Sequence, residues 1–161
     1  MIIKLDIGNA FDRVKHSFLY KVLLSFGFST NFVNLIKSCT EKSCLSPLVN
    51  GRPTSYFQAS RGISQGCPLS PFLYILMVDS LRRKLTTVKN LGIDPDIRII
   101  KDIEPIHHAL FVDDFTAIGG ASINIAKVFS GILQDFCSIS GALINKRKSD
   151  VFGWNIEQND I

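Results

Sequence analysis

The sequence predicts an α+β domain in which helices pack on one face of an antiparallel sheet. Strand-like and helix-like segments are mixed along the 161 residues, without the regular βα alternation of a parallel sheet. The dipeptide Asn50-Gly51 indicates a hairpin, because both central residues of a type I′ turn need positive φ. Hydrophobic residues make up 46% of the chain and charged residues 20%, an ordinary balance for one globular domain.

The first part of the chain predicts a strand followed by two helices. "IIKLDI" at 2–7 is rich in β-branched residues and ends at an acid, as a short buried strand does. Helical spacing follows over 12–27, with Asp12 as the predicted N-cap and Gly27 as the predicted stop. A second helix is predicted from Thr30 to about Lys42. Its inward-facing residues are expected to be Phe32, Leu35, Ile36 and Cys39.

The middle of the chain predicts a hairpin and a third helix. Residues 45–60 form the hairpin around Asn50-Gly51. Ser70 and Pro71 are a favourable N-cap and N1 pair for a helix that runs to about Leu85. Its last turn would carry a basic cluster at 82–84, which suits the negative end of the helix dipole.

The last part predicts two more hairpins around a fourth helix. Residues 91–105 are expected to form a loop, a strand and a second loop, and 107–120 a tight hairpin. A helix follows from about Ser122 to Ile139, and residues 142–154 suggest a final hairpin.

Composition excludes several classes of protein. The longest apolar run, at 72–78, is too short to cross a bilayer, and the N-terminal segment lacks the cleavage site of a signal peptide. The four cysteines show no CxxC spacing, so a zinc site is not expected. We therefore expect an intracellular protein, nuclear or cytoplasmic, without a membrane partner. The net charge of +4 is mild, but basic clusters at 82–84 and 146–148 would suit a phosphate-bearing partner.

Three aspartates stand at the ends of apolar strand-like segments. Asp113 and Asp114 follow "ALFV", and Asp6 closes the first strand. Considered separately, Asp113 and Asp114 are consistent with a solvent-exposed turn, and Asp6 is consistent with an acid that ends a strand and caps the following turn. If the two strands lie side by side, however, three carboxylates meet at one edge and repel each other unless cations neutralise them. Mg²⁺ prefers such oxygen ligands, and two ions could stabilise the attacking and leaving oxygens of a phosphoryl transfer.

Four segments, in order, resemble the motifs of a reverse transcriptase palm: "LDIGNAFDRV", "RGISQGCPLSP", "FVDD" and "SGALINKRKS". The resemblance is to the enzymes of non-LTR (LINE-type) retrotransposons and to their group II intron relatives, and it extends from about residue 3 to 152. It implies a polymerase palm fold and an RNA-directed DNA polymerase activity. The implied partners are an RNA/DNA primer–template and deoxynucleoside triphosphates, and the implied cofactor is two Mg²⁺ ions.

The resemblance also implies the acidic and basic groups of the site. Asp6 and Asp113 would ligate the metal ions, and Asp114 would complete the acidic cluster. Lys148 matches the fourth-motif lysine that neutralises or protonates the departing pyrophosphate; a solvated turn lysine is the plain alternative. Asp12 matches an acid beside the site, although helix capping alone explains it.

Three further residues match positions that contact the nucleotide. Phe11 falls where the family keeps an aromatic ring against the 2′-hydroxyl, the group that distinguishes RNA from DNA; otherwise it reads as a core aromatic. Gln65 and Gly66 match the loop that contacts nucleotide and template, where glycine permits close backbone approach. The plain alternative is a turn that leads into the helix at Ser70.

Departures from the family pattern favour weak activity. Asn9 and Ser64 stand where LINE-type enzymes commonly carry lysine and arginine, and each lost charge weakens contact with phosphate. Residues 1–161 are expected to be one partial reverse transcriptase domain, a palm with incomplete fingers and no thumb. The alternatives are a decayed, non-catalytic element that binds nucleic acid weakly and, in another class, a phospho-acceptor receiver domain. The oligomeric state stays open.

Overall fold

The computed structural model describes residues 1–42, 44–90, 108–111, 113–119 and 122–153. The strand predicted within 91–105 lies outside these residues. Within them, no helix is both long and apolar enough to cross a membrane. The elements are, in chain order, β1 (Ile2–Gly8), α1 (His16–Ser25), α2 (Thr30–Glu41), β2 (Cys44–Leu45), β3 (Leu48–Val49), β4 (Arg52–Pro53), β5 (Phe57–Gln58), α3 (Ser70–Asn90), β6 (His108–Phe111), β7 (Asp114–Ile118), α4 (Ile123–Ser140), β8 (Leu143–Ile144) and β9 (Asp150–Phe152).

The main sheet is antiparallel and has β1 near its centre. The strand order is β6-β7-β1-β8, and β9 also pairs with β1. Strands β2 and β5 form one separate pair, and β3 and β4 form another. The first strand of the chain therefore pairs only with strands from the second half of the described sequence. β7 lies on one side of β1, and β8 and β9 lie on the other.

The helices cover one face of this sheet, as predicted. The residues paired between β1 and β7 face the two sides of the sheet in turn, because successive side chains of a strand point to opposite faces. Phe115 and Ala117 are 0% and 1% exposed and belong to the core that α1, α3 and α4 help to form. Lys4 and Asp114 occupy the alternate positions and are exposed. Burial on one face only is what fixes the register of the two strands.

The first helix begins later than predicted. Its N-cap is Lys15 rather than Asp12, and no side chain caps it. Residues 9–13 instead form turns in which the N–H groups of Asp12 and Arg13 both donate to the Asn9 carbonyl. The predicted stop is confirmed, because Gly27 has a φ of 87° directly after the C-cap.

The second helix buries the predicted stripe only in part: Ile36 is buried and Phe32 packs against the core, as predicted. Val33 and Ile36 are each 2% exposed, whereas Leu35 is 60% exposed and Cys39 is also exposed. The predictions for Leu35 and Cys39 were therefore wrong. Val33 and Ile36 are three residues apart and share one side of the helix, which turns Leu35 to the opposite side.

The third helix is longer than predicted, which changes the role of its basic cluster. It begins at Ser70, the predicted N-cap, but it runs to Asn90 rather than to Leu85. The cluster at 82–84 thus lies inside the helix and not in its last turn. Arg82 and Arg83 pair with Asp79, and Lys84 pairs with Asp135 of α4 at 2.8 Å. Ion pairing within and between helices replaces the predicted dipole interaction.

One predicted hairpin is confirmed and another is wrong. Val49 pairs with Arg52 across Asn50 and Gly51, whose φ values are 51° and 75°, as a type I′ turn requires. The final hairpin does not form. β8 and β9 do not pair with each other; both pair with β1, at Ile7–Gly8 and at Ile2–Lys4. β8 and β9 are therefore two parts of one interrupted strand, separated by a turn, and both parts pair with β1.

Candidate active site

The three aspartates lie where the pairing of β1 with β7 ends. Asp6 pairs in register with Asp114, and the N–H of Ile7 donates to the Asp113 carbonyl at 2.8 Å. Ile7 and Asp113 are therefore a hydrogen-bonded pair of the antiparallel ladder. Asp6 and Asp114 are the neighbouring non-hydrogen-bonded pair, the type in which opposing side chains lie closest. Like charges directly opposite each other destabilise a strand pair. The edge of the sheet thus concentrates negative charge.

Asp6 and Asp113 open into one pocket of about 340 Å³. The segment after β1 lines it, together with Phe11, Gln65, Asn145 and Lys148. Asp114 is exposed and does not line the pocket. Residues from all four motif segments are thereby brought to one place.

The pocket offers oxygen ligands of the kind that a hard cation prefers. Asp6 and Asp113 line the pocket, and so do Gln65 and Asn145, whose amide oxygen accepts from the Arg147 N–H at 3.2 Å. Across the part of the chain that the structure describes, no group of three or more His, Cys, Asp and Glu side chains is arranged to hold a metal ion. Asp6 and Asp113 share the pocket, and Asp114 lies opposite Asp6 in the strand pairing, outside the pocket lining.

A turn between β8 and β9 brings the lysine to the pocket. The N–H of Asn145 donates to the Asp6 carbonyl at 2.9 Å, and the Asp6 N–H donates to Ser149 Oγ at 3.2 Å. The turn closes with a bond from the Lys148 N–H to the Asn145 carbonyl at 3.1 Å. Both backbone groups of Asp6 are thus held by the turn that carries Lys148.

The segment at 61–66 is fixed against the loop at 9–15. The Ile63 N–H donates to the Phe11 carbonyl at 2.9 Å, and His16 Nε2 lies 2.7 Å from the Gly62 carbonyl oxygen. Gln65 Nε2 donates to Asp12 Oδ1 at 3.1 Å. Asp12 therefore orients Gln65 instead of capping a helix.

Phe11 is held by an aromatic neighbour that the motifs do not indicate. Its ring stacks on Tyr74 with the centroids 4.8 Å apart and the planes at 25°. Burial, and to a lesser degree the charge of Asp113, raise the pKa of Tyr74. The helical spacing of α3 could have identified Tyr74 as a core residue, but not as a neighbour of the acidic edge.

Gly66 and Gly62 differ in their surroundings. A Cβ at Gly66 would meet no atom within 4 Å, so the role of Gly66 toward a bound nucleotide stays a prediction. A Cβ at Gly62 would lie 2.8 Å from the Asp12 carbonyl oxygen, and φ there is +91°. The position where the backbone comes too close to another segment for a side chain is thus Gly62, against the backbone of Asp12.

Comparison with known proteins identifies relatives over most of the chain. The family model described as reverse transcriptase (RNA-dependent DNA polymerase) matches residues 1–157. The chain is 29% identical over 152 residues to the retrovirus-related Pol polyprotein of the type-2 retrotransposable element R2DM of Drosophila melanogaster. It is 28% identical over 151 residues to a 149 kDa protein of transposon TX1 of Xenopus laevis. These matches cover 94% and 91% of this chain but only 14% and 11% of the relatives.

Solved structures share the fold. Telomerase from Candida albicans, in complex with a TWJ fragment of telomeric RNA, matches with a TM-score of 0.73 at 16% identity, over 98% of this chain and 27% of that one. Apo telomerase from Candida tropicalis, truncated from its C-terminal domain, matches with a TM-score of 0.69 at 17% identity, over 98% of this chain and 31% of that one. At these identities the likeness concerns the fold alone, and it agrees with the predicted α+β architecture.

Proposed function

The chain belongs to the reverse transcriptase (RNA-dependent DNA polymerase) family, and its relatives include Pol polyproteins of retrotransposable elements. From this premise we propose that it is the palm of an RNA-directed DNA polymerase. Its substrates are deoxynucleoside triphosphates and a primer paired with a template. The observation that supports this proposal is that Asp6 and Asp113, far apart in the chain, line one pocket with Lys148.

The acidic groups would hold the divalent cations. Asp6 and Asp113 supply the ligand oxygens, and Asp114 adds negative charge at the same strand end. Two bound Mg²⁺ ions would stabilise the attacking and leaving oxygens of nucleotidyl transfer. Because phosphoryl transfer depends mainly on positioning and charge, the protein contributes by fixing these carboxylates on the rigid end of a sheet.

The other pocket residues would act on the nucleotide. Lys148 carries the positive charge that balances the leaving pyrophosphate, and the turn bonded to Asp6 keeps it there. The ring of Phe11 would stand against the sugar and exclude a 2′-hydroxyl, since Tyr74 stacks on its other face. Gln65, oriented by Asp12, and Gly66 would contact the nucleotide and template.

Primer extension tests the proposal. With Mg²⁺, deoxynucleotides and an RNA template, Asp113→Asn should lower the extension rate at least about 100-fold, roughly 2.7 kcal/mol of transition-state stabilisation. The matched control is Asp135→Asn, because Asp135 is an exposed carboxylate on α4 that pairs with Lys84. Equal extension by wild type and Asp113→Asn would refute the polymerase assignment for these residues.

A non-catalytic nucleic-acid-binding role is the second candidate. Asn9, which lines the pocket, and exposed Ser64 favour a non-catalytic chain that binds only weakly, because both lack the positive charge that LINE-type enzymes commonly carry there. In that case binding to single-stranded nucleic acid would weaken with salt and would not change in Asp6→Ala. Loss of binding in Asp6→Ala, together with primer extension by the wild type, would exclude this candidate.

A further inference from the structure

Tyr74 presents a polar atom that the fold does not use. The residue is only 2% exposed, and its hydroxyl has no hydrogen-bond partner among the described residues. An unpaired buried polar group costs stability, so native proteins keep one chiefly where it serves some other purpose. The hydroxyl of Tyr74 therefore calls for a specific explanation.

Tyr74 lies between the pocket residue Phe11 and the strand that leads to the acidic turn. On one side its ring stacks on Phe11 at 4.8 Å, and Phe11 lines the pocket with Asp113. On another side Tyr74 shares a small cavity with Leu110 of β6, the strand that precedes the acidic turn. The side chain thus packs below the pocket, next to the segment that carries Asp113.

The charge of the proposed site on this side is the Asp113 carboxylate, which follows Leu110 and β6 in the chain. After burial, its negative charge is the second cause of the raised pKa of Tyr74. The phenol keeps its proton at neutral pH and can donate, and an ionised carboxylate can only accept. A bond between them would be charge-assisted and therefore stronger than one between neutral groups.

We propose that Tyr74 is a positioning residue: in the cation-loaded site its hydroxyl donates a hydrogen bond to the Asp113 carboxylate and fixes the direction in which that carboxylate meets the cation. This inference rests on the proposed function, which assigns Asp113 as a metal ligand. The same side chain braces Phe11, so one residue of α3 supports both the metal-binding and the sugar-facing side of the pocket.

Cation binding by the whole chain tests the assignment without requiring polymerase activity. Mn²⁺ is the probe, because electron paramagnetic resonance counts the free ion directly. Groups that orient a metal ligand typically contribute 10- to 100-fold to affinity. Tyr74→Phe keeps the ring that stacks on Phe11 and removes only the hydroxyl, and it should raise the Kd for Mn²⁺ about tenfold.

A second buried tyrosine provides the matched control. Tyr20 is 7% exposed, and its hydroxyl lies 2.6 Å from Thr40 Oγ1, between α1 and α2. Tyr20→Phe should leave Mn²⁺ binding unchanged. Asp113→Asn should weaken it strongly, and Tyr74→Phe should add nothing further in the Asp113→Asn background.

The outcomes separate this inference from the proposed function. Impaired binding in Asp113→Asn with wild-type binding in Tyr74→Phe would overturn the role of Tyr74 and leave the metal site in place. Wild-type binding in Asp113→Asn would overturn the metal site itself. An equal loss in Tyr20→Phe and Tyr74→Phe would show a general effect of removing a buried hydroxyl, and it would also overturn the role of Tyr74.

Discussion

At the scale of single residues, Gly62 holds two loops of the pocket together. Its N–H donates to the Val14 carbonyl at 2.8 Å, and its carbonyl oxygen lies 2.7 Å from His16 Nε2. The next residue, Ile63, bonds to the backbone of Phe11. A side chain at position 62 would collide with the backbone of Asp12 and would have to adopt a φ of +91°. The placement of Phe11 and Gln65 thus depends on a residue that lines no part of the pocket.

Gly62→Ala should destabilise the protein by about 2 kcal/mol, because a left-handed φ and a backbone clash add together. Urea unfolding followed by circular dichroism measures this change. Gly66→Ala is the control: four residues along, a Cβ would meet nothing within 4 Å, so its stability should change by less than about 1 kcal/mol. Equal stability of the two variants would contradict the account of the loop contact.

At the scale of elements, the interruption between β8 and β9 forms one wall of the pocket. A continuous strand would have paired with β1 along its whole length and left no turn at Asp6. Instead the strand breaks at the acid, and the Ser149 hydroxyl accepts from the Asp6 N–H while it donates to the Asn145 carbonyl at 2.8 Å. A strand that breaks beside a site can redirect a side chain, as bulges do, and here the redirected side chain is Lys148.

Ser149→Ala should lower the single-turnover extension rate about tenfold, because it frees the turn that places Lys148 without removing the lysine. Lys148→Ala should lower the rate more, and the double variant should be no slower than Lys148→Ala. Ser138→Ala removes an exposed hydroxyl that donates to the Asp135 carbonyl within α4, so it serves as the control. A fully additive effect in the double variant would show that Ser149 does not act through Lys148.

At the scale of the whole molecule, burial is uneven. The strand β1 is paired on both sides, and Ile7 within it is 6% exposed. The two small strand pairs over 44–58 are exposed throughout, with Leu48 at 70% and Tyr56 at 77%. The pocket is therefore built on the part of the molecule with the most buried contacts, and the exposed strands contribute no residue to it.

Hydrogen exchange read by mass spectrometry should show this division. Amides of β1 should exchange on the order of 100-fold more slowly than those of 44–58, because local opening costs least where few apolar contacts are lost. Peptides from α1, whose inner face is buried, serve as the internal reference for the core. Comparable exchange in β1 and in 44–58 would contradict the distribution of stability described above.

Much of the local structure could be predicted because its cause lies within a few residues. Asn50-Gly51 forms the type I′ turn and Gly27 ends its helix, each for a reason visible in neighbouring residues, whereas the first strand continues past Asp6 to Gly8. The helix end predicted at Leu85 was wrong, because α3 continues to Asn90. The pairing of Lys84 with Asp135 involves another helix and cannot be predicted from local spacing.

The sequence by itself determined the family and the order of the four motif segments, and it indicated the residues proposed to carry the chemistry, because each motif is a short run whose residues are sufficient to recognise it. Only the tertiary structure decided how these runs meet: Asp12 bonds Gln65, Tyr74 braces Phe11, and β8 and β9 share one edge of β1. The physical reason is that strand pairing and side-chain packing join segments far apart in the chain, and periodicity describes only the neighbours of each residue.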